Sequence, residues 1–105
     1  MKKVREMITL HIDFQEGFLD DSVIIKVNQK EVFKEEHITT LMLTGLAKSF
    51  TVLIESGLVS IDVILEKRRV NGSITYEIKS DKYVGISVLN QKINFLITDK
   101  SFFYG

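Results

Sequence analysis

The sequence predicts an all-β domain, an antiparallel β-sandwich of about eight strands that is immunoglobulin-like in general architecture, with a small β-barrel as the alternative. Three observations support this prediction. Apolar and polar side chains alternate with a period of two in most segments. β-Branched and aromatic residues are frequent in the same segments. Turn-forming residues separate these segments at intervals of roughly 8–12 residues. Because a parallel sheet would need crossover helices, for which there is no clear pattern, the sheets are predicted to be antiparallel.

The alternation defines the strands and the residues that should face the core. In chain order these residues are Ile8, Leu10, Ile12 and Phe14; Val23, Ile25 and Val27; Phe50, Val52 and Ile54; Val59, Ile61, Val63 and Leu65; Ile74, Tyr76 and Ile78; Val84, Ile86 and Val88; and Ile93, Phe95 and Ile97. A further strand is predicted at Lys30–Lys34. The segment Thr40–Lys48 fits neither the helical nor the strand period, and is predicted to be an irregular link or a short strand.

Turn residues lie between the predicted strands. Asn71-Gly72 is the strongest hairpin signal, because Asn-Gly favours the left-handed conformation of a two-residue turn. Asn28-Gln29 and Asn90-Gln91 are predicted to form two-residue or slightly longer turns, since Gln is a poorer second residue than Gly. Ser56-Gly57 marks another break between strands.

Composition narrows the functional classes. The 105 residues suit one domain, predicted to span 1–105, and 14 basic residues balance 14 acidic ones. Since nucleic-acid binding depends on a basic surface, no nucleic-acid partner is predicted. The absence of cysteine excludes disulfides and thiolate metal sites. No window approaches the roughly 20 apolar residues of a membrane span. Charged residues such as Arg5 and Glu6 also interrupt the apolar run of a signal peptide. The prediction is a cytoplasmic protein that does not bind membranes.

Three sets of polar residues could have a catalytic or ion-binding role, and each also has a simpler structural interpretation. The two histidines, His11 and His37, lack a recognisable catalytic motif and are expected at the surface. Four acidic residues could hold calcium or form a solvated turn, and the sequence leaves this open; they are Asp13, Glu16, Asp20 and Asp21. The basic run Lys67–Arg69 could bind an anion or form a solvated hairpin tip. No enzyme, cofactor or metal is therefore predicted.

Aromatic residues suggest a second class of function. Phe14, Phe50 and Phe95 are predicted to lie in the core. Tyr83, Phe33 and Phe18 lie near predicted turns, where exposed rings could stack on a sugar. This pattern supports an alternative hypothesis, a small-ligand or carbohydrate-binding module.

Several apolar residues occupy positions that should face solvent. They are Ile24, Leu53, Ile64 and Leu96, in mid-strand but out of phase, and the aromatic run Phe102, Phe103 and Tyr104. Exposed apolar surface on a small domain usually marks an interface. The leading hypothesis is a non-catalytic protein–protein interaction module that forms a homodimer or binds another protein.

The segment from Ser22 to Glu66 resembles immunoglobulin-like and carboxypeptidase-regulatory-like sandwich modules. The resemblance rests on Val23-x-Ile25-x-Val27-Asn28-x-Lys30-x-Val32 and on Phe50-x-Val52-x-Ile54-x-x-Gly57-x-x-x-Ile61. It implies a sandwich fold and no particular functional residue. The Cys…Trp…Cys pattern of immunoglobulin domains is absent.

Overall fold

A computed structural model describes residues 6–104 of the chain, and within this range it consists of eight β-strands joined by turns and loops, without a helix. The strands are β1 (Met7–Phe14), β2 (Asp21–Val27), β3 (Lys30–Ile38), β4 (Lys48–Glu55), β5 (Gly57–Leu65), β6 (Val70–Ile78), β7 (Lys82–Leu89) and β8 (Lys92–Thr98). The prediction of an all-β fold is confirmed. The segment between β3 and β4 is irregular, which was one of its two predicted forms.

The strands form two four-stranded sheets that pack face to face. The first sheet has the order β4-β1-β7-β8 and the second has the order β3-β2-β5-β6. Both sheets are open, which confirms the sandwich and not the barrel. The edge strands β3 and β4 lie on one side of the sandwich, where Phe33 stacks on Phe50, and β6 and β8 lie on the other side. The two-sheet sandwich is an architecture that immunoglobulin domains also have, but the strand order here differs from their ABED and CFG sheets.

One strand pair corrects the sequence prediction. Five of the six strand pairs are antiparallel, but β1 and β7 pair in parallel. Parallel neighbours need a long connection, and the five intervening strands supply it without a helix. The inference from missing helices to wholly antiparallel sheets was therefore wrong for this pair.

The core follows the predicted alternation closely. The inward-facing residues of β1, β2, β5 and β7 are buried, and those of the edge strands β4 and β8 are mostly half-buried. Tyr76, predicted to face the core, is instead 40% exposed on the edge strand β6. No helix among residues 6–104 has the length and hydropathy of a membrane-spanning segment. The N-terminal residues used for the localisation prediction lie partly outside the described range, which begins at Glu6.

The turns show where local signals hold and where they fail. Asn28-Gln29 and Asn90-Gln91 form two-residue turns with positive φ at all four residues, as a type I′ turn requires. The hairpin predicted at Asn71-Gly72 is wrong, because the chain turns earlier, between Leu65 and Val70. Gly72 lies within β6, where a Cβ would be 2.4 Å from Cβ of Ile93. Glycine is needed there for the close approach of β6 and β8.

Candidate functional site

The link between β3 and β4 carries three adjacent apolar side chains that are largely in solvent. Leu41, Met42 and Leu43 are 60%, 99% and 93% exposed. Leu19 is also exposed and lies on the loop between β1 and β2, whose backbone is hydrogen-bonded to the link. We call Leu19 and Leu41–Leu43 the apolar tip.

Thr40 anchors the base of the apolar tip to the neighbouring loop. Its backbone N–H donates to the Phe18 carbonyl at 2.9 Å, and its hydroxyl donates to the Gln15 carbonyl at 2.5 Å. The same hydroxyl oxygen accepts the Phe18 N–H at 3.0 Å. These bonds fix the position from which the three apolar residues project.

Beyond Thr40, the link closes on itself before it enters β4. Gly45 N–H donates to the Leu41 carbonyl at 2.8 Å, and Leu41 N–H donates to the Leu46 carbonyl at 3.1 Å. Gly45 has φ of 75°, a left-handed conformation that glycine adopts without steric cost. Ala47 N–H then donates to the Phe14 carbonyl at 2.7 Å. These bonds hold the link to itself and to β1 while the tip side chains remain exposed to water.

A buried ion pair supports the loop beside the apolar tip. Asp21 is 1% exposed and accepts hydrogen bonds from Arg68 Nε at 2.9 Å and Nη2 at 2.7 Å. Arg68 Nη2 also donates to the Gly17 carbonyl at 2.7 Å. The acidic loop and the basic run, which the sequence treated as two candidate ion sites, therefore meet at this point as partners.

Asp20 makes a second, exposed set of ionic contacts. His37 Nδ1 lies 2.6 Å from its Oδ1, and Lys67 Nζ lies 3.3 Å from its Oδ2. The hydrogen bond with His37, followed by that with Lys67, lowers the pKa of Asp20 below its usual value. Both Asp20 and His37 have positive φ, so the contact is made in a left-handed backbone conformation at each residue. Over residues 6–104, no group of three or more His, Asp or Glu is arranged to hold a metal ion.

The outer face of the first sheet holds most of the other polar candidates. The rings of His11 and Tyr83 stack at 4.3 Å between centroids. Tyr104 donates its hydroxyl proton to Asp13 Oδ2 at 2.5 Å and accepts a hydrogen bond from Gln15 Nε2 at 3.0 Å. Burial and the Asp13 hydrogen bond raise the pKa of Tyr104 to about 12. Through these two hydrogen bonds of Tyr104, the C-terminal segment docks on its own domain.

The structure separates the apolar residues predicted to form one interface. Ile24 and Ile64 face each other on the outer side of the second sheet and are half-buried. Leu53 and Leu96 are exposed on the outer side of the first sheet, on its opposite edge strands. In the tail, Phe102 is half-buried and Phe103 is fully exposed. These residues thus form several surfaces and not one patch.

The aromatic residues do not form the surface platform that a sugar would need. Phe18 and Phe33 pack against Phe14 at 5.4 Å and 5.1 Å between centroids. Of the three rings proposed for stacking, only Tyr83 lies on an outer sheet face. A shallow groove of about 380 Å³ does open between the β3 and β4 edges, lined by residues that include Val32, Val52 and Leu53.

Sequence analysis missed the apolar tip, although a signal was present. Residues 38–47 contain no charged side chain, and Leu41, Met42 and Leu43 are consecutive, so they match neither the strand nor the helix period. Three consecutive apolar residues in a link are hard to bury together. Such a run in a link indicates a cluster of exposed apolar side chains.

Comparison of the chain with models of known protein families found no match. Comparisons with curated proteins and with solved structures found none either.

Proposed function

We propose that the domain is a non-catalytic protein-binding module that contacts another protein through the apolar tip. The observation that carries the proposal is the near-complete exposure of Met42 and Leu43 on a hydrogen-bonded loop. Burial of each such side chain contributes about 1.5–3 kcal/mol. Because the loop backbone is already ordered, binding would lose less conformational entropy than it would with a mobile loop.

The charges around the apolar tip favour a protein over a membrane surface. The link itself is uncharged, and the groups beside it have both signs, including Asp20, Glu35, Lys48 and Lys67. Anionic lipid headgroups attract clusters of Lys and Arg, and this mixed rim offers no such excess. An apolar centre with a polar rim of both signs is typical of protein interfaces.

The alternative function, a carbohydrate-binding module, has weaker support. Of its three proposed stacking rings, Phe18 is buried in the core and Phe33 is half-buried against it. The third, Tyr83, lies against His11. A sugar platform needs rings that converge on one open surface, and this arrangement offers a single ring already covered on one face.

Site-specific photo-crosslinking in cells of the organism that produces the protein tests the proposal. A benzophenone amino acid at position 42 should give a discrete adduct with another protein. Excess unlabelled chain should suppress that adduct by competition. The triple variant L41S/M42S/L43S should fail to compete, because it lacks the apolar side chains while it retains the anchored backbone.

Leu58 provides the matched control. It is 72% exposed but lies at the opposite end of the sandwich, as the second residue of β5. The same photoreactive residue at position 58 should give no competed adduct. Equal labelling from both positions, or equal competition by the serine variant, would overturn the proposal.

A further inference from the structure

The segment that follows β8 lies across the outer face of the first sheet. Residues 99–104 connect the end of β8 with Asp13 of β1, so they pass over β7, which lies between those two strands. Phe102 and Tyr104 are half-buried, whereas Phe103 between them is fully exposed. This period of two is typical of an extended chain that has one side against a surface. We call residues 99–104 the C-terminal strap.

The end of the C-terminal strap occupies a polar site on that face. Gly85 of β7 is buried although it faces outward, because the Gln15 side chain lies over it: a Cβ on Gly85 would be 2.5 Å from Gln15 Oε1. The Tyr104 hydroxyl donates to Asp13 Oδ2 at 2.5 Å and accepts from Gln15 Nε2 at 3.0 Å. A tyrosine hydroxyl is both a donor and an acceptor, so this carboxylate and this amide match both of its functions. We call Asp13, Gln15 and Gly85 the phenol site.

The C-terminal strap is attached to the sheet by side chains and not by backbone pairing. Among residues 6–104, no backbone–backbone hydrogen bond joins residues 99–104 to a strand. At the start of the strap Asp99 forms an ion pair with Lys82, and at its end Tyr104 makes the two contacts with the phenol site. Segments with few backbone hydrogen bonds open locally at a low cost in free energy. The strap can therefore leave the sheet while the strands stay paired.

An aromatic surface adjoins the phenol site. His11 and Tyr83 lie on the same face, two residues before Asp13 on β1 and Gly85 on β7, and their rings stack at 4.3 Å between centroids. Exposed ring faces pack well against other aromatic side chains. An extended segment that places a tyrosine in the phenol site thus meets two hydrogen-bonding groups and, beside them, an aromatic surface.

We propose that the phenol site binds a tyrosine side chain on an extended segment of a partner protein, and that the C-terminal strap occupies the site as an internal competitor. The pattern recognised is the one that the strap itself presents: an aromatic residue, one spacer residue and a tyrosine. A short tethered segment has an effective concentration on the order of millimolar, so a free partner segment binds well only after the strap is released. The proposal does not rest on the function assigned to the apolar tip.

Fluorescence anisotropy with a labelled, amidated peptide of the strap sequence DKSFFY tests the site. The variant F102S/Y104S loses the two half-buried rings of the strap and keeps the phenol site, so it should bind the peptide at least tenfold more tightly than the natural chain does. The peptide DKSFFF, which lacks the hydroxyl, should bind this variant several-fold more weakly. Equal affinity of the two chains, equal affinity of the two peptides, or no binding at millimolar peptide would overturn the proposal.

Two aspartates provide a matched comparison within F102S/Y104S. Asp13→Ala removes the acceptor of the phenol site and should abolish peptide binding. Asp62 also accepts a hydroxyl proton, from Ser73, but on the second sheet, and Asp62→Ala should leave peptide binding unchanged. Circular dichroism must show that both variants remain folded. Equal losses of binding in the two folded variants would mean that the peptide does not bind at the phenol site.

The conservative variant Y104F tests the internal competition without removing a ring. It lacks only the hydroxyl that Asp13 and Gln15 hold, so it should bind DKSFFY several-fold more tightly than the natural chain does. Unchanged affinity would show that the hydroxyl does not hold the strap in place. Sedimentation distinguishes a second source of the strap: association of the natural chain that is lost in Y104F would mean that the strap of another copy fills the site, and would overturn the internal competition.

Discussion

At the scale of single residues, Asp21 and Arg68 form an ion pair that could not be assigned from the sequence. The Asp21 carboxylate is almost fully buried, and its two oxygens accept hydrogen bonds from Arg68. A buried carboxylate is tolerated when it is paired and hydrogen-bonded. The pair joins the β1–β2 loop to the turn between β5 and β6, so it also holds the base on which Leu19 is mounted.

We expect Arg68→Ala to lower the free energy of unfolding by about 3–5 kcal/mol, because the Asp21 charge would stay buried without its partner. Urea unfolding followed by circular dichroism measures this. The neighbouring substitution Lys67→Ala removes a contact with the exposed Asp20 and should cost far less. Equal losses in the two variants would mean that the buried pair does not stabilise the fold as argued.

At the scale of elements, the sequence predicts strands better than it predicts turns and loops. The period of two succeeds because one face of each strand must be buried, so the pattern reports packing directly. Asn71-Gly72 fails because two long-range contacts override its turn preference. Arg68 must reach Asp21 from the preceding turn, and Gly72 must make room for Ile93. Neither requirement is visible in the residues next to the Asn-Gly pair.

The alternation of apolar and polar side chains predicts which residues face outward, but it does not predict which of them lie together in a site. It identified Leu53 and Leu96 as outward-facing, and both are exposed. It could not show that they lie on opposite edges of one sheet, because strand order depends on pairings between distant segments. The apolar tip was missed for a related reason: alternation says nothing about a link, where exposure depends on the path of the backbone.

The two Asn-Gln turns offer a test at this scale. Gln29 and Gln91 have φ of 70° and 60°, where a side chain costs about 1–2 kcal/mol. Glycine removes that cost but loses about 0.5–1 kcal/mol of backbone entropy. Gln29→Gly and Gln91→Gly should therefore each raise the free energy of unfolding by about 0.5–1 kcal/mol in urea titrations.

The control for these turns is an exposed strand position without positive φ. Thr75 of β6 meets this condition, and Thr75→Gly should destabilise by about 0.5–1 kcal/mol. If glycine destabilised the turns as much as it does the strand, the left-handed cost assigned to Gln29 and Gln91 would be wrong.

At the scale of the whole molecule, the two sheets are built from strands that lie far apart in the chain. The hairpins β2–β3, β5–β6 and β7–β8 are local, but β1 pairs with β4 on one side and with β7 on the other. The C-terminal tail adds another distant contact, from Tyr104 to Asp13. Completion of the first sheet therefore requires pairing between segments that are far apart in the chain. The same topology leaves β4 and β8 at the edges of the first sheet.

This topology predicts the folding kinetics. Non-local β-pairing slows folding to the millisecond-to-second range. Prolyl isomerisation, which adds phases of tens to hundreds of seconds, is excluded because the chain contains no proline. Stopped-flow refolding of the chain should therefore finish within seconds, whether the chain was unfolded briefly or for an hour. A slow phase that grows with the time spent unfolded would contradict this account.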